Sequence, residues 1–166
     1  KIGSITPSSK YLAKTMLHKL PWQHIDSVAE LGAGTGVLTK YIMEYKQKSC
    51  YCVIVEQDRT LQWKLQLLYP HAIVGSEAEH LPYILHSCGL PKVDCIVSSL
   101  PFAVFTPEDR EKILSAVITS LNPGGTFVTF QYSLQMRHLL KQYFKDVHIR
   151  FELRNLPPAF VYECRL

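Results

Sequence analysis

The chain has 166 residues, 47% of them apolar and 19% charged, and carries a formal net charge of +4. This length suits a single domain that buries roughly 70% of the surface its unfolded chain would expose, and the composition excludes a disordered or low-complexity polymer. No apolar stretch reaches the ~20 residues of a membrane span and the start lacks the apolar core of a signal peptide, so a soluble, cytoplasmic protein is expected.

Lys1 stands where an initiating Met would be, so an upstream segment is expected. The first element predicted is a helix begun by Pro7-Ser8-Ser9, with a serine cap, running to about Leu20. Tyr11, Leu12, Met16 and Leu17 share one face of it; Lys10, Lys14, His18 and Lys19 largely share the other. Residues 1–22 thus read as an N-terminal cap region on one domain spanning 1–166.

After Pro21-Trp22 strand and helix alternate: strand 27–31, helix 36–44, strand 51–55, helix 60–68 and a short strand 71–74. A strand follows over 93–98, a helix over 107–121, a turn at Asn122-Pro123-Gly124-Gly125, a strand over 126–132 and a helix over 134–144. The last two strands, 147–153 and 160–164, are joined by Asn155-Leu156-Pro157-Pro158. That connection suits a hairpin and not a helical crossover, so the final strand should be antiparallel. The fold class expected is α/β: a three-layer, Rossmann-like, mostly parallel seven-stranded sheet with one antiparallel terminal strand.

The five cysteines include no C-x-x-C pair, and Cys52 and Cys95 fall inside apolar strands, so they read as reduced core thiols. The seven histidines show no ligand spacing, and no metal site is expected.

The run Glu30-Leu31-Gly32-Ala33-Gly34-Thr35-Gly36 joins the first strand to the next helix through three closely spaced glycines. Residues lacking Cβ take positive φ and let backbone approach a ligand. The spacing fits neither G-x-G-x-x-G nor a phosphate loop. Glu30, ahead of the first glycine, would repel a pyrophosphate but attract a cofactor with a cationic amino acid part. A second acid, Glu56, ends the strand 51–55 with Gln57 beside it, placed to accept both hydroxyls of a ribose.

Glu30 to Gly36 followed by Glu56 resembles motifs one and two of class I methyltransferases. The resemblance implies S-adenosylmethionine as cofactor, S-adenosylhomocysteine as product and no metal. It also implies a third element after strand 71–74, where Gly75-Ser76-Glu77-Ala78-Glu79 would surround the adenine. The family often has an acid at the position of Ser76, which leaves Ser76 and Glu77 as alternatives.

Ser98-Ser99-Leu100-Pro101-Phe102 closes the fourth strand, where this fold meets its substrate. It resembles the motif-four loop of amino-methylating relatives, with Ser98 or Ser99 in place of an Asn or Asp acceptor and Phe102 as an aromatic wall. Pro7-Ser8 within the opening Gly3–Ser9 segment, Ser98-Ser99-Leu100-Pro101, and Asn155-Leu156-Pro157-Pro158-Ala159 together resemble short bacterial phospholipid N-methyltransferases. Leu100-Pro101-Phe102 is more distantly similar to ribosomal RNA adenine dimethyltransferases.

The lipid resemblance implies N-methylation of phosphatidylethanolamine or its methylated products at the inner face of a membrane, the basic first helix resting on anionic lipid. Ser98, Ser99 and Tyr132 would carry catalysis, with Tyr132 or Glu152 assisting loss of the ammonium proton; Asn155 would orient phosphate or a lid. The alternatives are an RNA or small-molecule methyltransferase, or a binder that keeps the pocket without catalysis. No obligate protein partner is expected.

Overall fold

A computed structural model describes residues 9–166. The expected helix start at Pro7-Ser8, and the substrate contacts assigned to these two residues, lie outside the described residues.

The elements follow in the order α1 (Ser9–Leu17), β1 (Ser27–Leu31), α2 (Val37–Tyr45), β2 (Tyr51–Val55), α3 (Arg59–Leu68) and β3 (Ile73–Gly75). Then come α4 (Leu81–Ser87), β4 (Val93–Ser98), α5 (Pro107–Ser120), β5 (Leu121–Gln131), α6 (Arg137–Tyr143), β6 (Asp146–Glu152) and β7 (Ala159–Arg165). Seven strands form one sheet in the order β3-β2-β1-β4-β5-β7-β6. All neighbours are parallel except β7, which runs antiparallel between β5 and β6, as the short connection after β6 requires.

β1 is buried along its whole length, as a central parallel strand covered on both faces must be. One apolar layer packs Leu12, Met16 and Leu17 of α1 with Leu38 and Ile42 of α2. The opposite layer packs Leu81 and Leu85 of α4, Leu114 and Val117 of α5 and Leu140 of α6. Trp22, buried at the end of the first segment, donates its indole N–H to the Leu17 carbonyl at 2.8 Å. Burial pushes the Cys50 and Cys164 thiols up to about 11 and about 12, and Cys52 and Cys95 higher still. They are protonated core side chains.

Two helix starts carry side-chain caps. Asp58 accepts from the Leu61 amide ahead of α3, and Thr106 accepts from the Asp109 amide ahead of α5, whose first residue is Pro107.

The structure departs from the sequence expectation at α1, which ends at Leu17 and not near Leu20, and in three further places. Residues 78–87 form a 3₁₀ turn and α4, a segment left unassigned because it is short and His80 supplies no side-chain cap. Asn122-Pro123-Gly124-Gly125 is a bulged beginning of β5 and not a separate turn: the pairing with β4 shifts between Val93 and Cys95, and Gly124 sits at φ 76°. The helix expected from 134 begins at Arg137, because Ser133 accepts from the Gln135 amide and holds the preceding residues in a turn. Among the described residues no helix is long and apolar enough to cross a membrane.

Candidate cofactor cleft

Strand order reverses at β1, whose neighbours β2 and β4 are reached in opposite directions, and a crevice opens beyond the carboxyl ends of these strands. The cleft encloses about 380 Å³ and is lined by Gly32, Gly34, Glu56, Glu77, Ser99 and Leu100, among others.

Gly34 is central to it. Its φ is +58°, and a Cβ there would meet nothing within 4 Å, so the turn leaves open space on its cleft side. Its amide donates to Glu56 Oε2 at 2.6 Å, while Glu56 Oε1 accepts from the Asp58 amide at 2.9 Å. Gly32 is pressed against the acceptor loop, its Cβ position only 2.8 Å from the Leu100 side chain. Ala33 is buried beneath the turn and Thr35 is exposed on it.

Glu30 lies wholly buried under the glycine turn. Thr39 Oγ1, on the inner face of α2, donates to Oε2, but Oε1 has no hydrogen-bond partner. Burial raises the Glu30 carboxyl to about 7; the Thr39 hydroxyl opposes the shift and the charge of Glu56 adds to it.

The loop after β3 is braced from both sides. Gln57 Nε2 donates to Glu77 Oε2 at 3.1 Å, and Gln62 Nε2 donates to Ser76 Oγ at 3.1 Å. Ala78 also lines the cleft.

At the end of β4, buried Ser98 uses its Oγ to accept from the Leu100 amide at 3.1 Å. Ser99 donates its amide to the Leu31 carbonyl at 3.0 Å, and its buried Oγ has no partner. Leu100 and Pro101 line the cleft, but Phe102 does not: it is fully buried, edge-on to Phe105 and Phe127. Arg110 fixes it there, donating from Nε to the Phe102 carbonyl at 2.6 Å. The aromatic wall expected at Phe102 is supplied by Phe105, three residues on.

Tyr132, half exposed beyond β5, and Asn155 are not among the residues lining the cleft. Asn155 is buried and donates from Nδ2 to the Pro157 carbonyl, which is a turn contact. Glu152 is engaged elsewhere: it accepts from Thr15 at 2.6 Å and from Arg154 Nε at 2.8 Å, and the Arg154 hydrogen bonds lead in holding its carboxyl down at about 2. Both of its oxygens are thus occupied, and it is not among the residues lining the cleft.

Sequence reasoning missed Thr39 and Gln131. Thr39 is polar on an apolar helix face, and Gln131 ends an apolar strand and donates to the Leu100 carbonyl at 3.1 Å. A polar residue at a position whose periodicity demands an apolar one was the signal available for both. Among the described residues no group of three or more His, Cys, Asp or Glu could hold a metal ion.

A sheet of this order, with a glycine turn after β1 and an acid after β2, describes a nucleoside-cofactor fold of the three-layer type. No family model matches the chain. Over 169 aligned residues it is 33% identical to the ornithine lipid N-methyltransferase of Singulisphaera acidiphila, an alignment covering 99% of this chain and 88% of that protein. It is 38% identical over 66 residues to the ribosomal RNA small subunit methyltransferase A of Maridesulfovibrio salexigens, covering 40% of this chain and 24% of that one. The fold superposes on PigF with SAH at a TM-score of 0.70 and 15% identity, covering 95% of this chain and 55% of that chain. The chain belongs to the class I S-adenosylmethionine-dependent methyltransferases.

The residues present fit that cofactor. The buried Glu30 Oε1 lacks a donor, the Gly34 turn leaves an open cradle, and Glu56 presents a carboxylate at the cleft wall.

Proposed function

We propose that this methyltransferase N-methylates a lipid-borne amine, working as a single domain at the inner surface of a membrane. The observation that carries the reading is the alignment, along nearly the whole chain, with a protein named for N-methylation of ornithine lipid. The acceptor class is therefore an amine tethered to acyl chains, with the ethanolamine phospholipid inferred from the sequence and an ornithine-type lipid as its two members.

S-adenosylmethionine, when bound, supplies an electrophilic methyl on a sulfonium and leaves as S-adenosylhomocysteine. Glu56 and Gln57 would hold the ribose, Glu77 and Ala78 the adenine edge, and Glu30 with the Gly32–Gly36 turn the amino acid part. Burial makes Glu30 a carboxylic acid in part at neutral pH, so a nearby ammonium would draw it to the ionised form.

On the acceptor side, an unprotonated amine nitrogen must lie in line with the methyl. The new N–C bond forms as the S–C bond breaks, and a proton leaves the nitrogen. The acceptor for that amine's N–H in this reading is the Ser99 hydroxyl, supported by its being buried without a partner; Ser98 holds the loop through the Leu100 amide. The proton leaves to solvent, since Tyr132 does not line the cleft and Glu152 is engaged by Arg154 and Thr15.

The test is transfer of labelled methyl, side by side, to phosphatidylethanolamine vesicles, ornithine-lipid vesicles and total RNA. Label in either lipid supports the reading and selects the headgroup. Label in RNA alone overturns it.

A further inference from the structure

We infer that Asp109 of α5 accepts from the adenine amine of the cofactor, an inference that rests on the cofactor placement given above and not on the identity of the methyl acceptor. The exocyclic amine of adenine is a donor, and a carboxylate is an acceptor that satisfies it. Two polar side chains of the loop after β3 are already engaged: Ser76 Oγ accepts from Gln62 Nε2 at 3.1 Å, and Glu77 Oε2 accepts from Gln57 Nε2 at 3.1 Å.

The end of the cleft beside that loop has two walls. One is the segment from Ser76 to Glu79; the other is the start of α5, a helix that packs against the 3₁₀ turn Ala78–His80. Asp109 and Ile113, one turn apart on α5, both line the cleft, and Phe105 lines it just ahead of the helix. Phe105 is held edge-on to buried Phe102, the ring centroids 5.8 Å apart, and α5 is anchored by buried Leu114 and Val117. An aromatic ring and an aliphatic side chain, with a carboxylate between them in sequence, suit a flat heteroaromatic base whose edge carries a donor.

Asp109 is free for that role. Its carboxylate accepts no hydrogen bond from, and forms no ion pair with, any described residue. The cations nearest in sequence are engaged elsewhere: Arg110 donates to the Phe102 and Ala103 carbonyls at 2.6 and 2.8 Å, and Lys112 pairs with Glu108 at 3.1 Å. Glu108 and Asp109 both stand in the first turn of α5, where an acid favours the helix whatever else it does. They differ in what they face, since Glu108 meets Lys112 and Asp109 lines the cleft. Of the other acids lining it, Glu56 accepts from the Gly34 and Asp58 amides, Glu77 from Gln57, and Glu79 lies 3.8 Å from His80 Nε2.

The experiment is calorimetry of the full chain with S-adenosylhomocysteine and with S-inosylhomocysteine, in which a carbonyl replaces the amine. Expected in the parent is a preference of roughly tenfold or more for the adenosyl ligand, because the Asp109 carboxylate would meet an acceptor in the inosyl one. Asp109→Ala should lose that preference by weakening the adenosyl ligand, and Asp109→Asn should lose it because an amide can donate to the carbonyl. Both variants should melt with the parent, the residue being exposed. A parent without the preference, a preference that survives both Asp109 variants, or one lost instead in Glu77→Gln would each overturn the inference. Glu56→Ala tests the placement separately, since it should weaken both ligands alike and keep their ratio. Weakening of both by Glu56→Ala, with the ratio unmoved by Asp109→Ala, would sink the adenine assignment alone; undiminished binding of both by Glu56→Ala would sink the cofactor placement.

Discussion

The Gly34 amide reaches the Glu56 carboxylate at 2.6 Å, so the turn after β1 and the end of β2 are tied together across the mouth of the cleft. Gly34 sits in the left-handed region, where a side chain costs ~1–2 kcal/mol, more for a β-branched one. Gly34→Val should therefore weaken S-adenosylhomocysteine binding at least tenfold by filling the cradle, and Glu56→Ala should do so by removing the ribose acceptor. Calorimetry on both variants checks this; unchanged affinity in the two together would refute the assignment.

Glu30 makes a pH-dependent prediction. Its carboxyl is raised from an unfolded value near 4.5 to about 7, so the folded state holds the proton more tightly. The associated destabilisation is absent below the unfolded value, grows as pH rises toward 7 and is then constant, on the order of 3 kcal/mol. Glu30→Gln should raise the ligand-free melting temperature at pH 8 and hardly change it at pH 4, while weakening cofactor binding at both. A melting difference independent of pH would contradict the buried-acid account.

Ser99 separates function from stability. Its Oγ is buried with no partner, so Ser99→Ala removes an unsatisfied group and should leave stability equal or slightly higher. Methyl transfer should nevertheless fall by roughly tenfold, the worth of about one hydrogen bond in the transition state, with cofactor affinity intact. Full activity in this variant would remove Ser99 from the acceptor site.

Glu152 is the opposite case from Glu30. Its carboxyl is depressed to about 2, chiefly by the Arg154 hydrogen bonds with Thr15 assisting, so its stabilisation is present above the unfolded value and is lost as pH falls from there toward 2. Glu152→Gln should lower stability at pH 7 and leave the shape of the pH–rate profile unchanged. Loss of a limb of that profile would show that Glu152 does handle the proton.

Thr106→Ala, which deletes the cap on α5, should cost about 1 kcal/mol in urea unfolding. Cofactor affinity should stay within twofold, since the helix is anchored by Leu114 and Val117. A larger fall in affinity would mean that the start of α5 shapes the cleft more than its packing suggests.

The cofactor half of the site was legible in the sequence because its signals are local: Glu30 to Gly36 is one contiguous turn, and Glu56 ends a strand whose apolar run is unmistakable. Alternation of strands and helices gave the sheet, and the short Asn155–Pro158 connection gave the antiparallel β7. What a side chain faces is set by distant packing and was not legible. Phe102 looks like a wall residue in its pentapeptide, but Phe127, Phe105 and Arg110 draw it inward. Asn155 looks like a ligand-orienting polar residue, and its Nδ2 donates to the Pro157 carbonyl. Glu152 reads as a free acid until α1 supplies Thr15, 137 positions away.

The close approach of Gly32 to Leu100 couples the halves of the cleft. One residue belongs to the turn that would receive the donor, the other to the loop that would receive the acceptor, and Gln131 clamps the second from behind. A bulkier residue at position 32 would meet the end of the Leu100 side chain, which would have to turn aside. A substitution of Leu100 should accordingly be felt at the glycine turn as well as in its own loop.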